Sequence, residues 1–496
     1  MSLGTTNTHG APDLHLEDLT ALPPVVEVGT ALPIFIGYTQ IARRLVDDDL
    51  LQRPTKIASL SEYESMFGLP SAEPIAVDLE HDGQGHYRAA GFTAPRLPYL
   101  LYYAVRLYFA NGGAQCYVVS AGRYRDAAPF HEWEPAAAPP AAAPATRAGR
   151  AARTARTGHV ARTGLRAALE AASRAEEPTL IVMPEAVHLG ERYGDAVQAV
   201  LAHCERSKNR FAILDVQDGT ADLLAPGGAA LEAARAAFGG ADLSHGAAYY
   251  PFVKTSLHHH VDAEETNVAV TIAGASAPVT LASLATSNVA AYQAARAELS
   301  CHFVVVPPSG AVAGVYAATA AARGVWHAPA NVTLADVLEP AVRVSHAAQK
   351  LLDVDPAGGR SINALRAFTG QGTLVAGTRT LAGNDPEWRH VSVRRFCNLI
   401  EASVRQSTAW VVREPNDEST WLAVCGMLEC YLTDKWRDGA LDGATPQDAF
   451  YVRCGLGTTM TALDILQGRL HIEIGMSITH RTERVVFRVS HRLRRS

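Results

Sequence analysis

Through the middle of this chain, short apolar runs alternate with stretches of helical periodicity, and this alternation restricts the fold more than any other feature. The runs lie between Leu165 and about Thr380 and include Thr179–Met183, Phe211–Asp215, Val268–Val270 and Phe303–Val306. Strands that are apolar on both faces and separated by helices are typical of a parallel sheet covered on both sides. Residues 165–383 are therefore predicted to form a largely parallel α/β domain.

The preceding segment, residues 25–134, has a similar pattern. Ile34–Gly37 is predicted to be a buried strand, and Tyr99–Ala110 carries apolar residues at helical spacing. Asn111-Gly112-Gly113 ends that helix, because glycine readily adopts the left-handed conformation at a helix C-terminus. This segment is predicted to be a second, N-terminal α/β element.

Residues 1–24 are predicted to be an N-terminal arm. Leu14 and Leu16 alternate with polar residues as in a short strand, and Pro23-Pro24 separates them from the compact segment. An isolated strand has no partner of its own, so this one needs a partner elsewhere.

Residues 135–164 are of low complexity and basic. Proline and alanine runs precede arginines at a spacing of three, and no acidic residue occurs between Pro135 and Leu169. Such a composition cannot bury enough apolar surface to offset the entropy of ordering the chain, which predicts an exposed, mobile loop. A basic docking element is the alternative.

The last quarter of the chain is predicted to form an α+β domain over residues 384–483. It holds four of the six tryptophans, which predicts an aromatic core. Two amphipathic helices are expected around Phe396 and Val424, the second capped by Asn416 or Asp417, with two strands after them. The second of these strands begins the C-terminal arm, residues 484–496.

Several motifs in this quarter and upstream share one resemblance. They are Asn384–Arg389, Val393–Phe396, Glu414–Asp417, Gly439–Leu441, Val306–Gly314, Arg323–Asn331, Ser361–Asn363, Gly370–Gly372, Gly377–Leu381, Ala247–Pro251 and Phe35–Tyr38. Through these motifs, taken together, the chain resembles the contractile tail sheath protein family of phage tails and extracellular contractile injection systems. The resemblance implies a subtilisin-like α/β domain, a C-terminal sheath domain and extended terminal arms.

The same resemblance implies a mechanical function without catalysis or a cofactor. In that family, subunits form hexameric rings that stack around an inner tube and contract to drive the tube through a target envelope. The implied partners are other copies of the chain, the inner tube protein, and baseplate and cap proteins, with no nucleic acid and no membrane insertion. A non-contractile baseplate or shell protein that reuses the sheath domains is the alternative.

Two sets of residues are candidates for this function. For strand exchange between subunits they are Leu14, Leu16, Val485, Val486, Phe487, Arg488 and Val489, because an added strand satisfies the donor's backbone and the acceptor's open edge together. Pairing of the last strand within its own domain is the alternative. For contact with the tube the candidates are Lys435 and Arg437, with a solvated helix end as the alternative.

Catalytic, metal and nucleotide sites are not predicted. Asp215, the run His258–His260 and Gly457–Met460 could suggest a protease, but threonine occupies the place of the nucleophilic serine, in the wrong domain. Adjacent histidines point in different directions, and neither a metal-binding spacing nor a phosphate-binding loop is present. The seven cysteines include no CxxC pair, which argues against a disulfide framework or a zinc site.

Charge and hydropathy limit the localisation. No window reaches the 18 or so apolar residues of a membrane span, and the N-terminus lacks the features of a secretory signal. The chain is therefore expected to be made in the cytoplasm, and the resemblance to sheath proteins implies that it joins a tail-like particle that stays there or is released. From His480 to Ser496 six arginines face one glutamate, which suits pairing between subunits, although nucleic-acid contact is the alternative.

Overall fold

The computed structural model describes residues 24–95, 97–124, 133, 164–225, 228–275, 277–478 and 484–493. The predicted strand with Leu14 and Leu16 and, apart from Gly164, the predicted basic loop 135–164 lie outside these residues. The chain divides into two compact units. The larger holds Glu27–Ser403 with Ser477–Val485, and the smaller is built mainly from Val404–Met476.

The helices and strands of the larger unit alternate along the chain. Its strands are β1 (Pro33–Thr39), β2 (Thr55–Ile57), β3 (Ile75–His81), β4 (Tyr87–Thr93), β5 (Cys116–Arg123), β6 (Leu180–Val182), β7 (Phe211–Asp215), β8 (Gly246–Tyr250), β9 (Val253–His258), β10 (Val268–Ile272), β11 (Val279–Thr280), β12 (Phe303–Val306), β13 (Val337–Pro340), β14 (Ile362–Phe368) and β15 (Gly372–Val375). Its helices are α1 (Leu60–Phe67), α2 (Leu101–Ala110), α3 (Leu165–Ala172), α4 (Tyr193–Ser207), α5 (Ala229–Ala237), α6 (Leu281–Ser287), α7 (Val289–Cys301), α8 (Ser309–Arg323) and α9 (His346–Asp353).

The central sheet has eight strands in the order β15-β14-β8-β7-β6-β1-β5-β2. From β14 to β5 every neighbouring pair is parallel, and only the two edge strands, β15 and β2, run antiparallel to their neighbours. Residues 25–134 and 165–383, which the sequence patterns separate, therefore contribute adjacent strands to one sheet. The predicted, largely parallel α/β architecture is confirmed.

Apolar clusters cover both faces of this sheet. In β1, Phe35 belongs to the cluster that contains residues of α2 and α8, whereas Ile34 and Ile36 belong to the cluster that contains residues of α3 and α4. This alternation follows from the two-residue period of a strand. A strand buried on both faces must be apolar throughout, which explains the unbroken runs in the sequence.

Helices α2 and α8 approach each other through glycines. A Cβ atom built on Gly310 would lie 2.5 Å from the Ala104 Cα, and one built on Gly314 would lie 2.6 Å from the Tyr108 carbonyl oxygen. The two glycines are four residues apart and therefore share one helix face. Their missing side chains allow the two backbones to pack directly together.

Two smaller sheets complete the larger unit. One has the order β11-β10-β3-β4, and the other has the order β12-β9-β13. The first packs against α6 and α7 through its own apolar cluster, which includes Ile75, Val77 and Val268. In the second sheet, the ring of His258, at the end of β9, packs against the Phe303 ring at a centroid distance of 4.9 Å and an interplanar angle of 30°.

The smaller unit is α+β, as predicted for the C-terminal domain. Its elements are the last part of α10 (Val391–Ser407), which crosses from the larger unit, then α11 (Glu418–Arg437), α12 (Pro446–Ala449), β16 (Phe450–Arg453), α13 (Ala462–Leu466), β17 (Arg469–Ser477) and β18 (Arg484–Arg492). Asp417 caps α11 by accepting a hydrogen bond from the Thr420 N–H at 3.1 Å. The predicted cap is therefore confirmed for Asp417.

Candidate functional site

The terminal strand β18 forms one edge of the sheet β16-β17-β18. Ser490 Oγ lies 2.7 Å from His471 Nδ1, and Arg488 Nη2 donates to Glu473 Oε2 at 3.2 Å. From His471 to Glu473 the residue number rises along β17, while that of the paired residue falls from Ser490 to Arg488. The strand β18 therefore runs antiparallel to β17. Past the strand end, the Leu493 N–H donates to the Gly468 carbonyl at 2.7 Å.

The side chains of β18 alternate as the sequence predicts. Val485 and Val489 are buried and Phe487 is partly buried, whereas Val486 and Arg488 are exposed. His491 Nε2 lies 2.7 Å from Thr408 Oγ1 at the end of α10, which fixes the far end of the strand. The apolar face of β18 is thus already buried within the single chain.

In this single chain, therefore, the last strand pairs with β17 of its own domain, which is the alternative that the sequence left open. Strand exchange needs a second copy, and the structure holds one chain, so the exchange stays a prediction. Among the strands that the structure describes, it has one neighbour and lies at the edge of its sheet. Its position suits either exchange for a strand of another copy or addition of a further strand to its outer edge.

The two candidates for contact with a tube differ in exposure. The Arg437 side chain is 68% exposed and pairs with Asp434 at 3.1 Å, one turn earlier in α11. The Lys435 side chain is only 13% exposed, lies 5.6 Å from the Tyr431 ring centroid and pairs with Asp438 at 3.7 Å. Arg437 is therefore the member of the pair that can reach a partner without rearrangement.

Asp215, which the sequence raised as a possible catalytic aspartate, instead caps helix α8. It ends β7, and its carboxylate accepts hydrogen bonds from the Ser309 N–H at 2.8 Å and the Ser309 hydroxyl at 2.5 Å. Both side chains are buried, and no histidine is among the groups that shift the pKa of Asp215. The pair therefore fixes the start of a helix.

A second buried carboxylate has the same role at the start of α2, and the sequence contained no local signal for it. Glu185 Oε1 accepts hydrogen bonds from the N–H groups of Leu100 at 3.0 Å and Leu101 at 2.9 Å. The two helices that pack through glycines are thus each capped by a carboxylate from a distant part of the chain. Burial raises the pKa of both carboxyls, Asp215 and Glu185, to about 7.

The raised pKa of Asp215 predicts that this residue lowers the free energy of unfolding as the pH rises. An acid whose pKa is higher in the folded state contributes stability that is complete below its unfolded pKa and is lost as the pH rises through the folded value near 7. Asp215→Asn keeps an acceptor for the Ser309 N–H and removes the charge. Between pH 5 and pH 8 its free energy of unfolding, measured in urea, should rise relative to wild type by about 3 kcal/mol.

Asp195→Asn is the matched control for this measurement, because the Asp195 side chain is 59% exposed and pairs with Arg192 on the surface. Its difference from wild type should change little over the same pH range. A constant difference between Asp215→Asn and wild type at pH 5 and pH 8 would contradict the assignment of a buried, titrating cap.

The described residues contain neither a cluster of metal-binding side chains nor a helix that could cross a membrane. Within the described residues, no group of three or more His, Cys, Asp or Glu side chains could hold a metal ion. None of the described helices is both long and apolar enough to cross a membrane.

Comparison with known proteins agrees with the motif resemblance. Residues 383–492 match the family described as phage tail sheath C-terminal domain. The sheath of the extracellular contractile injection system PVC, in its contracted state, is similar over 97% of this chain and 98% of its own, with a TM-score of 0.59 and 24% identity. A search of curated proteins finds no match.

Two structures of the anti-feeding prophage (AFP) are similar to the same extent. Its contracted helical sheath is 24% identical over 97% of this chain and 99% of its own, with a TM-score of 0.57. A chain of its contracted baseplate is 24% identical over 98% of each chain, with a TM-score of 0.59. At this level of identity the likeness establishes the fold, and the resemblance to contractile sheath proteins is confirmed.

Proposed function

We propose that this chain is the structural subunit of a contractile sheath. Its residues 383–492 match the tail sheath C-terminal domain, and nearly its whole length has the fold of contractile sheath proteins. Copies form rings of six that stack around an inner tube, and the stack shortens to drive the tube through a target envelope. The observation that carries this proposal is that the likeness to a contracted sheath protein covers nearly the full length of both chains.

The edge position of β18 supports a connection between copies. A strand held at one edge can leave its own sheet and restore the same hydrogen bonds in the sheet of another copy, because the backbone pattern is identical there. The buried faces of Val485 and Val489 would then fill the corresponding place in that copy. Residues 484–496 would act as a tether that persists while the larger units change their interfaces.

Contraction of this kind needs no nucleotide. An extended lattice that assembles on the tube in a metastable arrangement can release free energy when rigid subunits exchange one set of interfaces for another. The two buried carboxylate caps and the glycine contact between α2 and α8 favour a subunit that moves as rigid bodies. The chain would be made in the cytoplasm and join a tail-like particle with tube, baseplate and cap proteins.

A position in the baseplate is the second candidate function. The similarity to a chain of the contracted AFP baseplate is as high as that to the AFP sheath. A baseplate component would occur in a single layer, whereas a sheath subunit would repeat along the tube.

Electron microscopy of the full chain co-expressed with its tube protein separates these functions. Striated cylinders around the tube, with a six-fold ring in cross-section, are the expected result. Bare tubes beside dispersed monomers would contradict a sheath function, and single discs at one tube end would favour the baseplate function.

Contact with the tube is expected to depend on the basic end of α11. The Lys435→Glu/Arg437→Glu variant should place four acidic side chains in the last turn, because Asp434 and Asp438 already lie there. Repulsion from an acidic tube surface should then weaken sheath loading by about tenfold or more, measured as the tube-bound fraction in sedimentation.

The matched control for this variant is Arg192→Glu, which reverses the charge of an exposed arginine that is also paired three residues away. It lies in the larger unit and should leave loading unchanged. Equal loading by the double variant and the wild type would remove Lys435 and Arg437 from the tube-contact surface.

A further inference from the structure

Arg395 is a buried arginine without an ionic or hydrogen-bonding partner among the described residues. Only 6% of the residue is exposed, and its Nη2 atom is buried with no hydrogen-bond acceptor. Its guanidinium carbon lies 4.7 Å from the centroid of the Tyr316 ring, so a cation–π contact is its recorded interaction. An arginine remains protonated in proteins, so this position carries a full positive charge.

The other buried arginines of the larger unit donate to oxygen acceptors, although the Nε atoms of Arg210 and Arg235 are, like Arg395 Nη2, buried without a hydrogen-bond partner among the described residues. Arg235 donates to the Glu232 carboxylate at 3.1 Å and to main-chain carbonyls near residue 352. Arg210 donates to the Ala172 carbonyl at 3.1 Å. Arg394, the neighbour of Arg395 in α10, donates to Asn398 Oδ1 at 2.9 Å. Each of these side chains has an oxygen acceptor within hydrogen-bonding distance.

Asn398 does not supply the missing acceptor among the described contacts. Its Oδ1 already accepts from Arg394, and its Nδ2 donates to the Arg210 carbonyl at 3.2 Å. A buried charge without a counter-charge costs several kcal/mol unless another group compensates it. Burial lowers the pKa of Arg395 to about 10, which leaves it charged at neutral pH.

Arg395 is one of the residues that line a small cavity. Arg395 lines a cavity of about 20 Å³, at the side of the central sheet where the segment Val28–Ala31 and the residues that precede β6 and β7 meet α10. A space of this size holds a species of about the size of one water molecule. Among the described residues that line it, none is acidic.

Two further residues with polar side chains, Thr179 and Asn209, line the same cavity. Thr179 lines the cavity, and its Oγ1 accepts a hydrogen bond from the Leu32 N–H at 3.2 Å, which leaves its hydroxyl hydrogen free to donate. Asn209 also lines the cavity and carries an amide group, one hydrogen of which donates to the Glu176 carbonyl at 3.1 Å. The residues that line the cavity therefore include a charged arginine and two neutral side chains that carry donor groups.

We propose that this cavity, named here the Arg395 cavity, binds a single halide ion, which is chloride under ordinary solution conditions. A monatomic anion fits the available space, compensates the guanidinium and accepts hydrogen bonds from several directions. A polyatomic anion such as sulfate or a phosphate group needs more room. The ion would link α10 to the start of the central sheet, and this inference does not depend on assembly into a sheath.

The test is the thermal stability of the full chain in sodium chloride and in sodium gluconate at constant ionic strength. Gluconate is too large for the cavity, so only chloride should stabilise. At a chloride concentration ten times its dissociation constant, the ratio of folded to unfolded chain should rise about elevenfold, with saturation at one site. Equal stability in the two salts would overturn the proposal. The same result is expected if a carboxylate of a second copy fills the cavity in place of a halide ion.

Variants assign the effect to the site. Arg395→Met should lose the chloride dependence, and Arg192→Met, which removes an exposed arginine, should keep it. A chloride dependence retained in Arg395→Met would overturn the assignment. If Arg395→Met fails to fold, a crystal of the wild-type chain soaked in bromide decides. An anomalous peak beside the guanidinium supports the site, and an empty cavity contradicts it.

Discussion

The His471→Cys/Ser490→Cys variant is expected to form sheaths only while its two introduced thiols are reduced. The two side chains face each other across β17 and β18, with His471 Nδ1 2.7 Å from Ser490 Oγ. Directly opposed residues of an antiparallel pair have Cα atoms about 4.5 to 5.5 Å apart, within the range that a disulfide spans. Oxidation should therefore lock the last strand in its own sheet.

A locked strand cannot pair with another copy, so the oxidised variant should remain in the soluble fraction, and addition of a reductant should restore assembly. A large loss of assembly is expected, because every copy would lose its C-terminal link to the next. Particle yield by electron microscopy in the two redox states measures it.

Val452→Cys/Ile474→Cys is the control, because these residues are opposed in β16 and β17, which do not separate in the proposed exchange. It should assemble in both redox states. Deletion of residues 484–496 provides a second comparison and should abolish assembly in any buffer. Normal sheaths from the oxidised His471→Cys/Ser490→Cys variant would contradict strand exchange and leave strand addition at the outer edge of β18 as the remaining use of this edge.

Gly310→Val is expected to prevent folding of the larger unit. A Cβ atom at position 310 would lie 2.5 Å from the Ala104 Cα, and the obstacle is the backbone of α2, which cannot rotate away as a side chain could. The helices would have to separate, which exposes apolar residues on both. A loss of more than about 4 kcal/mol is expected, which places this substitution among the most severe.

Gly426→Ala is the opposite case and serves as the control. Gly426 lies inside α11, and a Cβ atom there would have no other atom within 4 Å. Alanine should therefore stabilise the smaller unit by about 0.5 to 1 kcal/mol through its higher helix propensity. Circular dichroism and urea unfolding of both variants measure the two effects. A well-folded Gly310→Val chain of wild-type stability would contradict the packing of α2 against α8.

The sequence predicts the elements whose cause is local. β7 ends at Asp215 as predicted, and α2 ends at Ala110, before the predicted Asn111-Gly112-Gly113. The Asp417 cap follows from the short-range preference of aspartate for helix N-termini. The parallel order of the sheet follows from apolar strands that alternate with helices.

Contacts between distant segments could not be predicted in this way. The sequence predicts that α2 begins at Tyr99, but the helix begins at Leu101. There the Glu185 carboxylate accepts a hydrogen bond from the Leu101 N–H, and Glu185 lies 84 residues away in the sequence. The ion pairs of Lys435 and Arg437 with the aspartates of the same turn depend on rotamers that a charge count does not reveal. The lone charge of Arg395 depends on which neighbours α10 meets in the folded chain.

The same distinction applies to the last strand. Its alternating burial follows from the sequence, but the sequence does not determine which sheet it completes. The strand is also longer than predicted, Arg484–Arg492, and its second half is held by Ser490 and His491. Polar anchors of this kind favour the single-chain arrangement while no second copy is present.

A cryo-EM reconstruction of the assembled particle, at a resolution that traces the main chain, distinguishes exchange of the last strand from its retention. Strand exchange requires that residues 484–492 leave their own protomer and form backbone hydrogen bonds with β17 of a neighbouring copy. If every copy in the particle keeps β18 on its own β17, with no strand crossing between copies, the proposed tether is contradicted.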